Sequence, residues 1–308
     1  MVKVVTVVLN YNTVDLTLAC LRTLAGLDTN GIEHTVVVVD NNSTDDSVSK
    51  IRSQWPEVRL IKNDRNAGYT GGNNLGYATA LEYEPDYVMI LNSDTELDAQ
   101  LLQNLVRAAE TDEARAIVSP KIYFAAGHEF HKDRYMKSDR GKVFWYAGGY
   151  FDWANVQSVH RGVDEVDTGQ YDKGEQIVFA SGCCMLVRCA AVEDADLFDE
   201  AYFMYFEDGD LCMRMRQKGQ IIWYEPTAKL WHINAGSSGS GSDLHDYFIS
   251  RNRMRFGMKF APMRSKLALI KQSFNLLISG RSWQRMGIED FYLQRWGGGR
   301  YPIEQWKN

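Results

Sequence analysis

Short β-branched runs alternate with helix-like segments through the first 120 residues, and this alternation constrains the fold more than any other feature. We expect strands at residues 2–9, 35–39, 58–61, 87–91 and 116–119. Between the first two, Leu16, Cys20, Leu21 and Leu24 recur at helical spacing. Such alternation is typical of a mostly parallel sheet with helices on both faces. The sequence therefore predicts the α/β class.

Further helices follow from capping and periodicity. The stretch Ser43-Thr44-Asp45-Asp46 predicts a helix with Ser43 as its N-cap. We also expect helices over residues 75–81, 98–109, 211–217 and 244–260. Residues 125–175 are rich in aromatic and charged side chains without clear periodicity, which predicts either a long loop with a hairpin or a partly disordered segment. The Gly/Ser-rich stretch 234–243 predicts a mobile loop or lid.

Polar side chains follow three of the predicted strands. They are Asn10-Tyr11-Asn12, Asp40-Asn41-Asn42 and Asn92-Ser93-Asp94. Asn and Asp are common in turns, so one such strand end has little meaning. Ligands of open parallel sheets bind beyond the carboxyl ends of the strands, however. Three polar ends at one edge therefore predict a ligand site that is rich in oxygen atoms.

The composition argues against several other classes of protein. The chain has 308 residues, of which 45% are hydrophobic and 24% charged, as in an ordinary globular protein. Its five cysteines lack CxxC spacing, which argues against a disulfide framework or a zinc site. We find no signal-peptide signature, and no apolar run approaches the roughly 20 residues that span a membrane. These features predict a cytoplasmic protein.

The net charge of −6 is unevenly distributed. From Arg251 onward the balance is +9, so the first 250 residues carry −15. A basic end on an acidic body suggests contact with an anionic surface, either a membrane or a nucleic acid. Residues 263–296 combine apolar faces with Lys and Arg. They could be helices packed on the domain or a peripheral membrane surface. They lack a nucleic-acid recognition signature, so we expect no nucleic-acid partner.

Two nucleotide-binding motifs are absent. The first predicted strand is not followed by G-x-G-x-x-G, and no P-loop lysine follows the glycines of NAGYTGGNNLG at 66–76. Gly68, Gly71 and Gly72 would still let the backbone approach an anionic ligand at a helix start. A simple tight loop is the alternative interpretation.

Seven motifs, in their order and spacing, resemble those of family-2 glycosyltransferases with the GT-A fold, particularly the bacterial rhamnosyltransferase-like group. They are VVLNYN (7–12), VVVDNNSTDDS (37–47), NAGYTGGNNLG (66–76), LNSDTEL (91–97), SGCCMLVR (181–188), FDEAYFMYFEDGDLCMR (198–214) and AKLWH (228–232). The resemblance implies a GT-A domain over 1–243, with a nucleotide-sugar half (1–120) and an acceptor and catalytic half (121–243) containing mixed β structure. A helical extension would occupy 244–308.

The resemblance also implies a metal and a donor site. Asp94 is similar to the last carboxylate of a D-x-D motif that holds Mg²⁺ or Mn²⁺, with Asn92 in place of the first Asp, and His232 is similar to a further metal ligand. Asp40 is similar to the residue that accepts from N3–H of a uracil or thymine ring. Arg251 could reach a phosphate or be a helix-surface charge. The implied donor-binding residues are Asn10, Tyr11, Asn12, Asp40, Asn42, Asn66, Gly68, Gly72, Asn73, Asn92, Ser93 and Arg251.

Glu207, Asp208 and Asp210 follow an aromatic run. Acids at a helix start can simply complement the helix dipole. An apolar wall can also raise the pKa of a carboxyl and make it a better base. By resemblance, Asp208 is the general base of a single inverting displacement, and Trp145, Gly182 and Glu207 contact the acceptor.

The resemblance favours dTDP-rhamnose as donor, with a UDP-hexose second, and a glycan or lipid-linked acceptor. A sugar-nucleotide pyrophosphorylase would share the architecture, but it should have a G-x-G-T-R-type loop after the first strand. An inactive carbohydrate-binding or scaffold protein is a further alternative, because Asn92 alters the metal motif.

Overall fold

The computed structural model describes residues 1–192, 197–233 and 242–303. Its strands are β1 Val2–Asn10, β2 Ile32–Asp40, β3 Arg59–Lys62, β4 Tyr87–Asn92, β5 Thr95–Leu97, β6 Arg115–Phe124, β7 Phe144–Tyr146, β8 Gly149–Asp152, β9 Gln157–His160, β10 Glu175–Ile177, β11 Cys184–Arg188 and β12 Ile221–His232. Its helices are α1 Val14–Ala25, α2 Ser47–Gln54, α3 Gly68–Leu81, α4 Leu101–Glu110, α5 Glu207–Gln217, α6 Asp243–Phe260, α7 Met263–Ser279 and α8 Ser282–Tyr292. Most of the stretch predicted as a lid, 234–241, lies outside the described residues.

One ten-stranded sheet organises the described chain. Its order is β10-β12-β6-β11-β4-β1-β2-β3, and β5 and β7 pair with β12 and β6. Strands β3, β2, β1 and β4 are parallel, whereas β11 is antiparallel to both β4 and β6. The predicted α/β class, with a mostly parallel sheet, flanking helices and a C-terminal helical segment, is confirmed. Strand β6 crosses position 120, where we placed the border between the two halves.

The carboxyl ends of the parallel strands meet at one sheet edge. Asn10, the last residue of β1, pairs in register with Asp40, and its neighbour Leu9 pairs with Asn92. The central strands are buried, with Val7, Val38 and other valines fully inaccessible. The apolar run of each strand therefore fills the core, and its polar end lies at the edge.

Helix α3 packs directly on β1. A Cβ atom on Gly72 would lie 2.4 Å from Leu9 Cδ1, and one on Gly76 would lie 2.3 Å from Val7 Cγ1. The helix begins at Gly68, earlier than the predicted start at 75. These two glycines serve close helix–sheet packing.

The predicted N-cap at Ser43 is wrong, because α2 begins at Ser47. The Ser43 hydroxyl instead accepts the backbone N–H of Asn12, at 2.9 Å. It also lies 3.1 Å from Asn10 Nδ2. Ser43 therefore joins the loops after β1 and β2.

Residues 125–175 contain more strand than the sequence predicted. Strand β7 pairs with β6, and β8 and β9 form a separate antiparallel hairpin. The predicted hairpin is present, and β7 and the start of β10 add short strands to the main sheet. In the described part of the chain, we find no helix with the length and hydropathy needed to cross a bilayer.

Candidate active site

A cavity of about 280 Å³ opens at the polar edge of the sheet. Residues from the first part of the chain that line it include Leu9, Tyr11, Thr13, Asn41, Gly68, Tyr69, Asn92, Ser93 and Asp94. Residues from the later part that line it include Trp145, Ser181, Gly182, Met204, Tyr205, Glu207 and Asp208. The structure therefore brings together most of the predicted metal, acceptor and catalytic residues and part of the predicted donor set.

Asp40 and Asn10 lie beneath this cavity and are fully buried. Asn10 Nδ2 donates to Asp40 Oδ1 at 2.8 Å, and Asp40 Oδ2 accepts the backbone N–H of Ser43 at 3.0 Å. The pair holds the loops after β1 and β2 together. Contact between Asp40 and a base stays a prediction.

Four other predicted donor residues shape the loops without lining the cavity. Asn12 and Asn42 have left-handed φ of 53° and 68°, and Asn12 Oδ1 accepts the backbone N–H of Thr44. Asn73 donates to the Tyr69 carbonyl at 2.9 Å. Gly72 packs on β1, as described above, and thus lies where a ligand would not touch it.

Asn66 acts through a residue that the site prediction missed. Its Oδ1 accepts from Asn41 Nδ2 and from the backbone N–H of Gly68, both at 2.9 Å. Asn41 itself lines the cavity. Its position between Asp40 and Asn42 was visible in the sequence, but which of three adjacent polar residues faces the ligand depends on the turn.

Tyr69 was also missed. Its hydroxyl donates to the Gly182 carbonyl at 2.6 Å and links α3 to the segment before β11. A Cβ on Gly182 would lie 2.6 Å from this hydroxyl, and one on Gly68, where φ is +73°, would collide with Phe203. The aromatic residue inside a glycine-rich segment was the available signal.

Asp94 and His232 form the candidate cation site. Strand β12 pairs His232 with Thr95, and this pairing places His232 Nε2 3.2 Å from Asp94 Oδ2. The other ring nitrogen, Nδ1, is buried and has no hydrogen-bond partner among the residues that the structure describes. Within the described ranges no three His, Cys, Asp or Glu side chains converge on one point. Two protein ligands suit Mg²⁺ or Mn²⁺ when substrate phosphate and water complete the shell, so the residues fit such a cation.

Trp145 lies beside this pair. Its ring centroid is 4.6 Å from that of His232 and 4.4 Å from that of His160. Burial lowers the pKa of His160 to about 4, so this imidazole is neutral near neutral pH. These edge-on and tilted ring contacts fix an aromatic surface at the cavity wall, where a sugar ring could pack.

Asp208 is the half-buried carboxylate of the cavity. Its Oδ2 accepts the N–H of Gly182 at 3.0 Å, and its Oδ1 accepts the N–H of Gly209 at 2.8 Å. Burial raises the pKa of Asp208 to about 6, although these N–H groups act in the opposite direction. A carboxylate with this pKa is mostly ionised at neutral pH and is a stronger base than an ordinary Asp.

Glu207 is more deeply buried, with 6% of its surface exposed. Its Oε2 has no hydrogen-bond partner within the described part of the chain. Burial, and then the charge of Asp208, raise the pKa of Glu207 well above its usual value. Of the two neighbouring carboxyls, Glu207 is therefore held closer to its neutral form, whereas two N–H donors stabilise the charge of Asp208.

The segment before these acids has an uncommon backbone. Phe203, Tyr205 and Phe206 all have φ between 66° and 72°. Asn252 Nδ2 lies 2.8 Å from the Tyr202 carbonyl, and 2.7 Å and 3.1 Å from the carbonyls of residues 204 and 205. The side chain of Asn252 thus holds the segment that leads into Glu207 and Asp208.

The structure does not place Arg251 at the cavity. Its side chain is fully buried, and it donates to the carbonyls of Tyr202, Ala201 and Arg295 at 2.9, 3.3 and 3.2 Å. The sequence left two roles open for Arg251, contact with a phosphate and a charge on the helix surface. The buried position of Arg251 agrees with neither role. Arg251 instead stabilises the segment before α5 through hydrogen bonds to its backbone carbonyls.

A mostly parallel sheet with a polar cavity at its edge, lined by Asp94 and Asp208, agrees with the expected GT-A fold. The chain belongs to glycosyl transferase family 2, whose model matches residues 5–195. Among curated proteins, it is 29% identical over 219 residues to the N-acetylglucosaminyl-diphospho-decaprenol L-rhamnosyltransferase of Mycobacterium tuberculosis strain H37Rv, covering 68% of this chain and 70% of that protein. It is also 29% identical to Rhamnosyltransferase WbbL of Escherichia coli K12, over 101 residues, or 33% and 36% of the two chains.

Two solved structures support the fold. GalNAc-T7 with UDP, GalNAc and Mn²⁺ matches with a TM-score of 0.60 and 13% identity, over 98% of this chain and 58% of that one. The mannosyltransferase PcManGT of Pyrobaculum calidifontis, with GDP-Man and Mn²⁺, matches with a TM-score of 0.52 and 15% identity, over 98% and 77%. The family model and the two curated rhamnosyltransferases confirm the expected rhamnosyltransferase-like, family-2 resemblance. Family membership also favours a transferase over the pyrophosphorylase and scaffold alternatives.

Proposed function

We propose that the protein is an inverting, cation-dependent glycosyltransferase that moves rhamnose from dTDP-rhamnose to a hydroxyl of a lipid-linked saccharide. One observation carries the proposal. Asp94 and Asp208 line the same cavity, and His232 Nε2 lies 3.2 Å from Asp94 Oδ2, so a cation ligand set and a base would lie within reach of one bound donor. The function would belong to the biosynthesis of cell-envelope polysaccharide.

Asp94 and His232 are the residues that would hold Mg²⁺ or Mn²⁺. When bound, the cation would neutralise charge on the departing nucleoside diphosphate. Asn92 also lines the cavity and contributes an amide where the related motif has a carboxylate. With one carboxylate fewer in the site, we expect weaker cation binding in the absence of a nucleotide.

Asp208 would take the proton from the acceptor hydroxyl. The acceptor oxygen then forms a bond to the anomeric carbon while the bond from that carbon to the diphosphate oxygen breaks. The diphosphate leaves with the bonding electrons, and the proton stays on Asp208. A single displacement inverts the anomeric configuration and needs no second nucleophilic carboxylate.

The donor and acceptor assignments depend on relatives. The mycobacterial protein is named for transfer of L-rhamnose to N-acetylglucosaminyl-diphospho-decaprenol, and WbbL is also named a rhamnosyltransferase. The UDP-hexose alternative is kept because the GalNAc-T7 structure contains UDP. Both donors carry a pyrimidine, in agreement with the role that we propose for Asp40.

The direct test is a transfer assay with dTDP-rhamnose or a UDP-hexose and an N-acetylglucosaminyl-diphosphoprenol acceptor. We expect a rhamnosylated product with inverted anomeric configuration, as read by NMR. Asp208→Asn should lower turnover by roughly 10²- to 10⁴-fold, the usual contribution of a positioned base, with donor binding retained. Normal turnover by Asp208→Asn, or a retained configuration, would contradict the mechanism.

A further inference from the structure

Helix α7 presents a row of exposed, large apolar side chains. Met263, Leu267, Phe274 and Ile278 are 70%, 61%, 55% and 81% exposed. Their separations of four, seven and four residues place them on one face of the helix. We call these four residues the α7 stripe. Isolated exposed apolar residues are ordinary, but four in a row on one face mark an interaction surface.

The stripe is not the face that packs on the protein. The buried side chains of α7 are Ser265, Leu269 and Ser273. Tyr292, the last residue of α8, stacks its ring on that of Phe274, with 6.2 Å between the ring centroids. Tyr292 is itself 44% exposed. The apolar surface therefore continues from α7 onto the end of α8.

The cations of α7 differ from most of the other basic residues near the C-terminus, although Arg253 and Arg285 bond only to backbone carbonyls. Arg255, Lys259, Arg281, Arg295 and Arg300 all form ion pairs with Asp or Glu. Arg251 is buried. These charges are largely satisfied within the protein, so the surplus of +9 overstates the charge that a partner can meet.

Helix α7 itself contains Arg264, Lys266 and Lys271 and no acid. Among the described residues, none of these three cations forms an ion pair. By helical spacing, Arg264 and Lys271 lie along one side of the α7 stripe. Available positive charge and exposed apolar surface thus occur together on one helix.

We propose that α7 docks on an anionic lipid bilayer, with the stripe at the headgroup–acyl boundary and the three cations at the lipid headgroups. A nucleic acid would give the apolar side chains nothing to bury against. A second copy of this chain packed on the same face would oppose cation to cation. An anionic lipid surface can bury the apolar stripe and also pair with the three cations. The proposal goes beyond the transferase activity, because docking requires no sugar transfer.

Vesicle co-sedimentation tests this docking with the full chain. One set of vesicles is phosphatidylcholine alone, and the other adds phosphatidylglycerol. We expect binding to the anionic vesicles, weakening as salt screens the cations. The variant Ile278→Ser/Lys271→Gln should bind roughly tenfold or more weakly, because it loses one anchor and one cation. Both positions are exposed, so the variant should fold normally, as a thermal melt would show.

Met136→Ser/Lys137→Gln is the matched control, since it removes one exposed Met and one exposed Lys elsewhere on the chain. It should bind like wild type. An equal loss of vesicle binding in both variants would overturn the assignment to α7. Failure of the wild-type protein to bind anionic vesicles would also overturn it. A dimer that Ile278→Ser/Lys271→Gln dissociates, without vesicle binding, would identify the stripe as a contact between copies instead. Failure here would leave the transfer assay unaffected, so the two proposals can fail separately.

Discussion

At the scale of single residues, the neighbouring acids Glu207 and Asp208 show how burial divides two carboxyls between two roles. Asp208 has two backbone N–H donors, which stabilise its charge, whereas Glu207 Oε2 has no hydrogen-bond partner in residues 1–192, 197–233 and 242–303. The sequence located both acids and preferred Asp208. It could not show this difference, because the N–H of Gly182 comes from a distant segment.

The pH dependence of turnover should follow Asp208. A base works only when ionised, so kcat/KM should fall as the pH drops through about 6, the raised pKa of Asp208. Burial, and then the charge of Asp208, raise the pKa of Glu207, so this carboxyl is the harder of the two to ionise. Glu207→Gln should therefore keep the acid limb where it is. The measurement is a pH profile of kcat/KM for wild type and Glu207→Gln.

Two results would contradict this assignment. An acid limb near pH 4, the ordinary range of a carboxyl, would mean that burial does not tune the base. An acid limb that disappears in Glu207→Gln would transfer the role of base to Glu207.

At the scale of elements, packing explains which sequence predictions failed. The chain pattern located the strands and most helices, because the apolar periodicity is strong. It misassigned Arg251 because nothing local indicates that carbonyls of residues 201 and 202 surround the guanidinium. It assigned Gly72 to the donor because a glycine needed for helix–sheet contact looks the same in sequence as one that a ligand approaches.

The glycines of α3 provide a stability test. Gly76→Ala should destabilise the protein by about 1–3 kcal/mol, because its Cβ would lie 2.3 Å from Val7 Cγ1. Gly26→Ala is the matched control, since its nearest contact would be an ordinary 3.4 Å. Chemical denaturation of both variants measures the difference. Equal stability would show that α3 does not need the close approach to β1.

The segment before α5 provides a second test. Asn252→Ala would leave up to three carbonyls without their donor, at a cost of about 1–3 kcal/mol. Because this segment positions Asp208, we expect kcat to fall by more than tenfold while nucleotide affinity changes little. The measurements are a thermal melt, nucleotide titration and steady-state kinetics below the melting temperature. A kcat equal to that of wild type in Asn252→Ala would show that the segment holds its conformation without this side chain. Asn275→Ala, on the exposed surface of α7, is the control.

At the scale of the whole molecule, one sheet joins the two parts of the cavity. Strand β4 ends in the Asn92–Asp94 segment, and β12, from much later in the chain, brings His232 to Asp94. The sequence indicated each half of this pair by resemblance, but only the long-range pairing of β12 with β5 determines their distance. The same limit applies to charge, since the sequence counts cations whereas the fold decides which of them are paired.

A thermal-shift panel tests the central claim, a pyrimidine nucleotide site with a cation at Asp94 and His232, most directly. The panel uses UDP, dTDP and GDP, each with and without Mn²⁺, on wild type and on Asp94→Ala. We predict that dTDP or UDP raises the melting temperature of wild type, that Mn²⁺ increases this shift, and that Asp94→Ala loses the increase. Stabilisation by GDP alone, no response to any nucleotide, or an Mn²⁺ effect that persists in Asp94→Ala would contradict the account.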